Sequence, residues 1–159
     1  MQVLRLINDM LSQPRLSNIP TTDLKMFLRG ALNAIKRRSL IFVISDFIST
    51  PGWEATLSLL NQRHEVLAIR LYDPVEMSLP DVGIMVMEDA ETGEQLYVDT
   101  HDKKFRERFH SMMLQREDTL KQSFKRAGVD ALALSTEEDM VRAIVRFSQQ
   151  RQQLRKMGH

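Results

Sequence analysis

A carboxylate that directly follows a run of β-forming apolar residues is the group in this chain best placed to do chemistry. Asp46 stands there, after Leu40-Ile41-Phe42-Val43-Ile44-Ser45. Ligands of open α/β sheets bind beyond the carboxyl ends of the strands. A carboxylate held at such an end by a rigid element suits a hard cation such as Mg²⁺, or phosphate chemistry. The competing role is structural, because an aspartate at a strand end also caps the turn that follows. Tyr72-Asp73 and Ser135-Thr136 occupy equivalent positions after two later apolar runs. The histidines are His64, His101, His110 and His159. None lies within four residues of another, so no helical zinc pair forms. His64, at a helix–strand junction, and His101, at a helix start, read as surface polar groups. No G-x-S-x-G, P-loop or G-x-G-x-x-G occurs. Trp53 falls in the first turn of the helix after Asp46. It is an interface anchor if exposed and a core residue if half-buried.

The elements that must position these groups follow from hydrophobic period and punctuation. Val3, Leu4, Ile7, Met10 and Leu11 have helical spacing. A second helix is expected over about 23–37, capped by Thr21 or Thr22, with Leu24, Phe27, Leu28, Ala31, Leu32 and Ile35 as its stripe. Residues 40–44 are apolar without alternation, as a parallel strand covered on both faces requires. Thr50-Pro51 reads as a helix start, the helix running to about Gln62. Glu65–Tyr72 (EVLAIRLY) is the next strand, completing a right-handed βαβ unit. A loop over 73–83 leads to a hairpin, 84–87 with 95–98, turned by Gly93. A long helix over about 102–126 points Phe105, Phe109, Met112, Met113, Leu120 and Phe124 inward and ends at Gly128. Residues 131–134 make a short third strand. Ser135 and Glu138 form a capping box for a last helix that carries Met140, Ile144, Val145 and Phe147. The end, QQRQQLRKMGH, reads as a polar tail that frays.

The chain has 159 residues, 22 Lys+Arg against 21 Asp+Glu, and no cysteine. Folding to roughly 8,200 Å² of surface from about 27,000 Å² buries enough for one core. The even charge balance gives no support to a nucleic-acid or membrane-surface partner. The basic run Lys36-Arg37-Arg38 lacks the interleaved aromatics of a stacking platform and reads as a solvated helix C-terminal cluster. Disulfides, thiolate metal sites and cysteine nucleophiles are excluded. Apolar runs stop at five residues, too short for a membrane span, and no signal peptide is evident. The expectation is a cytoplasmic α/β protein with a mainly parallel sheet.

Arg37-Arg38-Ser39-Leu40-Ile41-Phe42-Val43-Ile44-Ser45-Asp46-Phe47 resembles the central strand of the von Willebrand factor A-like domain in domain-of-unknown-function family 58. So do His64-Glu65-Val66, Asp73-Pro74, Glu76, Leu79-Pro80, Gly83, the Glu91-Thr92-Gly93-Glu94 turn, Val98-Asp99-Thr100 and Ala127-Gly128-Val129-Asp130. The resemblance covers residues 3–150. It implies a partial von Willebrand A-like (Rossmann-type) three-layer fold over 1–150, with an inserted β-hairpin, missing N-terminal strands and a polar tail at 151–159. The family accompanies MoxR-type AAA+ ATPases and carries a metal-ion-dependent adhesion site for Mg²⁺. Thr22 matches that site's threonine and Asp46 its aspartate. The Asp-x-Ser-x-Ser turn is missing, so the implied site is incomplete and Mg²⁺ binding weak or absent. In the implied sheet order, 3-2-1-4-5-6, residues 40–44 are strand 4. Without strand 1 they form an apolar edge at which two chains are expected to pair across a two-fold axis, or another strand to take the place of strand 1.

The function these residues imply is a non-enzymatic protein-binding module, its partner implied to be a MoxR-type AAA+ ATPase. Trp53, Asp73 and Glu76 are its contact candidates and Thr22 and Asp46 the remnant of its metal site. The rival reading is a small Mg²⁺-dependent phosphate-handling enzyme, or a phosphoacceptor, using Asp46. Against it stand the lack of a second acidic pair and of a basic partner at a later strand end. Nucleic-acid binding through 36–38 and 151–156 is a third class, opposed by the near-zero net charge.

Overall fold

The computed structural model describes Ser12, residues 23–88 and residues 93–157. The expected helix over 3–11 lies outside the described residues. Helix α1 is Leu24–Ala34. Its cap is Asp23, whose side chain accepts from the Met26 N–H at 3.0 Å, not Thr21 or Thr22. A short carboxylate reaches the third helical N–H as well as a hydroxyl does. The helix also ends earlier than expected, so Lys36, Arg37 and Arg38 lie in the link to β1 and not in the last turn. Leu24 and Leu28 are buried, whereas Phe27 is exposed.

Strand β1 is Leu40–Ser45, helix α2 is Trp53–Arg63 and strand β2 is Glu65–Tyr72. Helix α2 starts after Gly52, at φ 105°, and so two residues later than a Thr50-Pro51 start would place it. A one-turn helix α3, Pro74–Met77, occupies the expected loop. Strands β3, Ile84–Glu88, and β4, Gln95–Asp99, form the hairpin. Helix α4, Lys103–Ala127, is capped by Asp102, which accepts from the N–H groups of Lys104 and Phe105, and is closed by Gly128 at φ 69°. Strand β5 is Asp130–Ser135 and helix α5 is Met140–Met157. The expected capping box is replaced. Ser135 Oγ accepts from the Glu137 N–H within a turn, and Asp139 starts α5 by accepting from the Arg142 N–H. The residues read as a fraying tail continue α5 to Met157, and Arg151 pairs with Glu65 and Asp130 at 3.1 and 2.6 Å.

The strands β1-β2-β5 form one parallel sheet in that order, with Val43 beside Ala68 and Ala68 beside Ala131. The hairpin β3–β4 is a separate antiparallel pair, its base fixed by buried Thr100, which donates to the Gly83 carbonyl at 2.7 Å. One sheet face presents Val43, Val66 and Ala68 to Leu24 and Leu28 of α1, Leu57 and Leu60 of α2, and Phe124 and Ala127 of α4. Helix α5 lies on the other face, along β5, where Ala143 is its fully buried contact. Met112 of α4, expected inward, is exposed, and so are Met140, Ile144 and Val145 of α5. A small residue seats α5 close to the sheet, and its larger apolar neighbours flank the contact.

Candidate functional site

The parallel arrangement brings the ends of β1, β2 and β5 to one edge. Ser45 lies beside Arg70, Tyr72 beside Ser135, and the Thr136 N–H donates to the Tyr72 carbonyl at 3.0 Å. The turn after β1 is built from its own side chains. Asp46 Oδ1 accepts from the Ile48 N–H at 2.9 Å, and Ser45 Oγ accepts from the Phe47 N–H at 3.0 Å. Ser49 Oγ accepts from the Leu24 N–H at 3.0 Å, tying the turn to the start of α1. Phe47 has φ 56°, a left-handed conformation that costs an ordinary residue about 1–2 kcal/mol. Burial of its ring among Trp53 and Phe124, at centroid distances of 5.4 and 4.8 Å, offsets that strain.

Asp46 thus takes the capping role through Oδ1, on an exposed residue. Thr22 lies outside the described residues. Among the described residues there is no group of three or more His, Asp or Glu side chains placed to hold a metal. Trp53 is corrected as a contact candidate, taking the core role of the two expected for it. It is 4% exposed, inside the aromatic cluster, and therefore packs the core and is no surface anchor. Asp73 caps α3 by accepting from the Val75 N–H at 2.9 Å, and Glu76 is exposed on that turn. His64 is also corrected. It is buried, with both ring nitrogens lacking a hydrogen-bond partner among the described residues. His101 is on the surface as expected, its Nδ1 2.6 Å from Asp81 Oδ1.

Sequence reasoning missed Arg70. It continues the core-facing alternation of Val66 and Ala68, and it is 7% exposed. Its Nη2 lies 2.5 Å from Glu117 Oε1 and its guanidinium 4.9 Å from the Tyr72 ring centroid, while Nε and Nη1 have no hydrogen-bond partner among the described residues. A charge at a period-two core position was the available signal. A buried guanidinium held by one carboxylate is poorly compensated for its desolvation.

The second unsatisfied region is β1. Among the described residues it pairs with β2 alone. The Glu65 N–H donates to the Ser39 carbonyl. In a parallel ladder, alternate residues of a strand turn both backbone groups to one neighbour. Residues 39, 41, 43 and 45 therefore face β2, and 40, 42 and 44 point their N–H and C=O groups away from the sheet. The side chains of these same three residues, Leu40, Phe42 and Ile44, are 54, 54 and 60% exposed. They continue into a groove of about 510 Å³ between Leu67, Ile69 and Leu132 on the sheet and Ile144 and Phe147 on α5. No helix among the described residues is long and apolar enough to cross a membrane.

No solved structure matches the chain. An uncharacterized protein of Mycobacterium avium is 34% identical over 128 residues, covering 78% of this chain and 75% of the relative. Uncharacterized proteins of Mycobacterium bovis and Mycobacterium tuberculosis are each 32% identical over 137 residues, covering 86% of this chain. The chain spans only 43% of the length of those two relatives. The family described as "Protein of unknown function DUF58" matches residues 1–119, and with these relatives it establishes that the chain belongs to the DUF58 family.

Proposed function

We propose that this chain is a non-enzymatic protein-binding module with a partial von Willebrand A-like fold, acting in the cytoplasm through its sheet edges. The observation that carries the proposal is β1, an edge strand among the described residues, with outward backbone groups and exposed Leu40, Phe42 and Ile44 on the same residues. Long apolar edges recruit strands, and strand addition is an established mode of protein recognition. The first partner is a second copy of the chain. Antiparallel pairing of β1 with its symmetry mate would give one continuous six-stranded sheet and bring the exposed apolar residues of both copies onto adjoining surfaces. The resemblance to MoxR-associated proteins makes a AAA+ ATPase the second, approached through the carboxyl edge near Asp46, Asp73 and Glu76. Mg²⁺ binding through Asp46 and Thr22 is weak or absent in this reading.

The test is light scattering coupled to size-exclusion chromatography, with and without Mg²⁺. The expected result is a dimer at micromolar concentration, indifferent to Mg²⁺. A compact monomer whose stability rises with Mg²⁺ would overturn it and reopen the phosphate-handling enzyme that Asp46 alone could serve.

A further inference from the structure

Arg70 is among the residues lining a cavity of about 220 Å³, formed where the turn after β1, β2, α3, β3 and α4 meet. That space equals about seven waters, the size of one side chain. Its walls are apolar and adaptable, with Met77, Met87, Met113 and Phe109. Arg116 also lines it and has no ion pair among the described residues. Glu117 lines it as well, committed to Arg70, and so does exposed Glu76.

Arg70 breaks the pattern of its own strand. Val66 and Ala68 on the same face pack the core, and an apolar residue at 70 would pack there too. Two of its nitrogens, Nε and Nη1, are buried without acceptors among the described residues. Buried donors are nearly always satisfied, so such a group calls for an absent acceptor. Guanidinium donors match carboxylate oxygens in geometry and charge. Methionine walls yield by rotamer change, which is what reaching a buried guanidinium requires.

We propose that Arg70 and Arg116 form a carboxylate-binding subsite that takes an acidic side chain from a partner segment, its aliphatic stem against Met77, Met87 and Met113. The inference rests on the reading of the chain as a protein-binding module, and it names the chemistry of the partner. Glu76 sets the selectivity, because a second carboxylate on the ligand would meet it.

The test uses the full chain labelled with ¹³C at the methionine methyls. A short leucine-flanked peptide with one internal glutamate is titrated, beside the same peptide with glutamine, free glutarate and inorganic phosphate. The methyls of Met77, Met87 and Met113 should shift saturably with the glutamate peptide and remain unmoved by its glutamine twin. Arg116→Gln should weaken the response several-fold and Glu76→Gln strengthen it. The double variant Arg70→Met with Glu117→Met, which removes both buried charges together, should abolish it. Should that variant fail to fold, Arg116→Glu on the exposed helix face serves the same purpose. Equal shifts with the glutamine peptide would overturn the proposal, as would a response surviving loss of Arg70 or reversal of charge at Arg116. Tighter saturation by phosphate would overturn the carboxylate, and tighter saturation by glutarate would overturn the partner segment. The titration is read on the monomer or the dimer alike, so its failure is separate from a failure of edge pairing.

Discussion

On one face of the sheet Val43, Val66 and Ala68 lie closed beneath three helices, while on the other Leu40, Phe42 and Ile44 stay more than half exposed beside α5. Both faces are written in the same apolar residues. Full burial of such a side chain contributes about 1.5–3 kcal/mol, so the covered face supplies the fold's stability and the open one holds roughly half that per residue in reserve. The difference lies in what covers each. Leu28, Leu57 and Leu60 fill the first face completely, whereas α5 meets the second through Ala143 and leaves a groove beside it. A parallel strand is normally buried on both sides, and a half-covered one is a surface that a second chain can complete.

The comparison breaks first at the covered face. Leu57→Ala removes a side chain with no exposure at the centre of the core. It should cost about 3–5 kcal/mol, read from urea unfolding. A loss below ~1 kcal/mol would mean the helical side of the sheet is not the stabilising one. Gly128→Ala comes next. Gly128 closes α4 at φ 69°, its N–H donating to the Lys125 carbonyl and its own carbonyl accepting from Asn61 Nδ2 at 2.7 Å. A methyl group in that left-handed conformation should cost about 1–2 kcal/mol in the same assay. An unchanged midpoint would remove the strain argument. Asp46→Ala follows, with loss of the turn's hydrogen bond to Ile48 and an expected cost of about 1 kcal/mol. The melting temperatures of parent and variant should respond equally to Mg²⁺. A Mg²⁺-dependent stabilisation that disappears with Asp46 would restore a metal role to this aspartate.

The same contrast explains what could be read from the sequence. The strands, the hairpin and the long helix closed by Gly128 were legible because period, glycine and β-branched runs are local signals. Helix starts were less so. Asp23, Gly52 and Asp139 took positions assigned to Thr21 or Thr22, Thr50 and Ser135, because several cap-forming residues stood side by side and tertiary ties, such as the Leu24 N–H to Ser49, decided between them. Faces were less legible again. Phe27, Met112 and Ile144 have the right spacing for a core, yet exposure depends on which neighbour is present. Trp53 and Arg70 exchanged the roles their chemistry suggests: the aromatic fills the core and the charge waits at a cavity. A tryptophan near a strand end finds burial wherever aromatics cluster. An arginine on a core face is visible only once the face is known.

Phe42→Lys is expected to disturb the fold least and to sharpen the comparison most. Phe42 stands mid-strand on β1, 54% exposed, with its backbone groups directed away from β2. A lysine there keeps its stem along the strand and its charge in water, the device by which natural edge strands resist pairing. The unfolding free energy of the monomer should change by no more than about 0.5 kcal/mol, as for an exposed surface position. The dimer should disappear from light scattering at the same concentration, because two such lysines would approach each other across the two-fold axis. If the variant remains dimeric, association runs through another surface, and the exposed hairpin residues Ile84, Val86 and Tyr97, which share one face of that hairpin, become the next place to introduce charge. If instead it unfolds, the open face is part of the core after all, and the division between a stabilising face and a binding face does not hold.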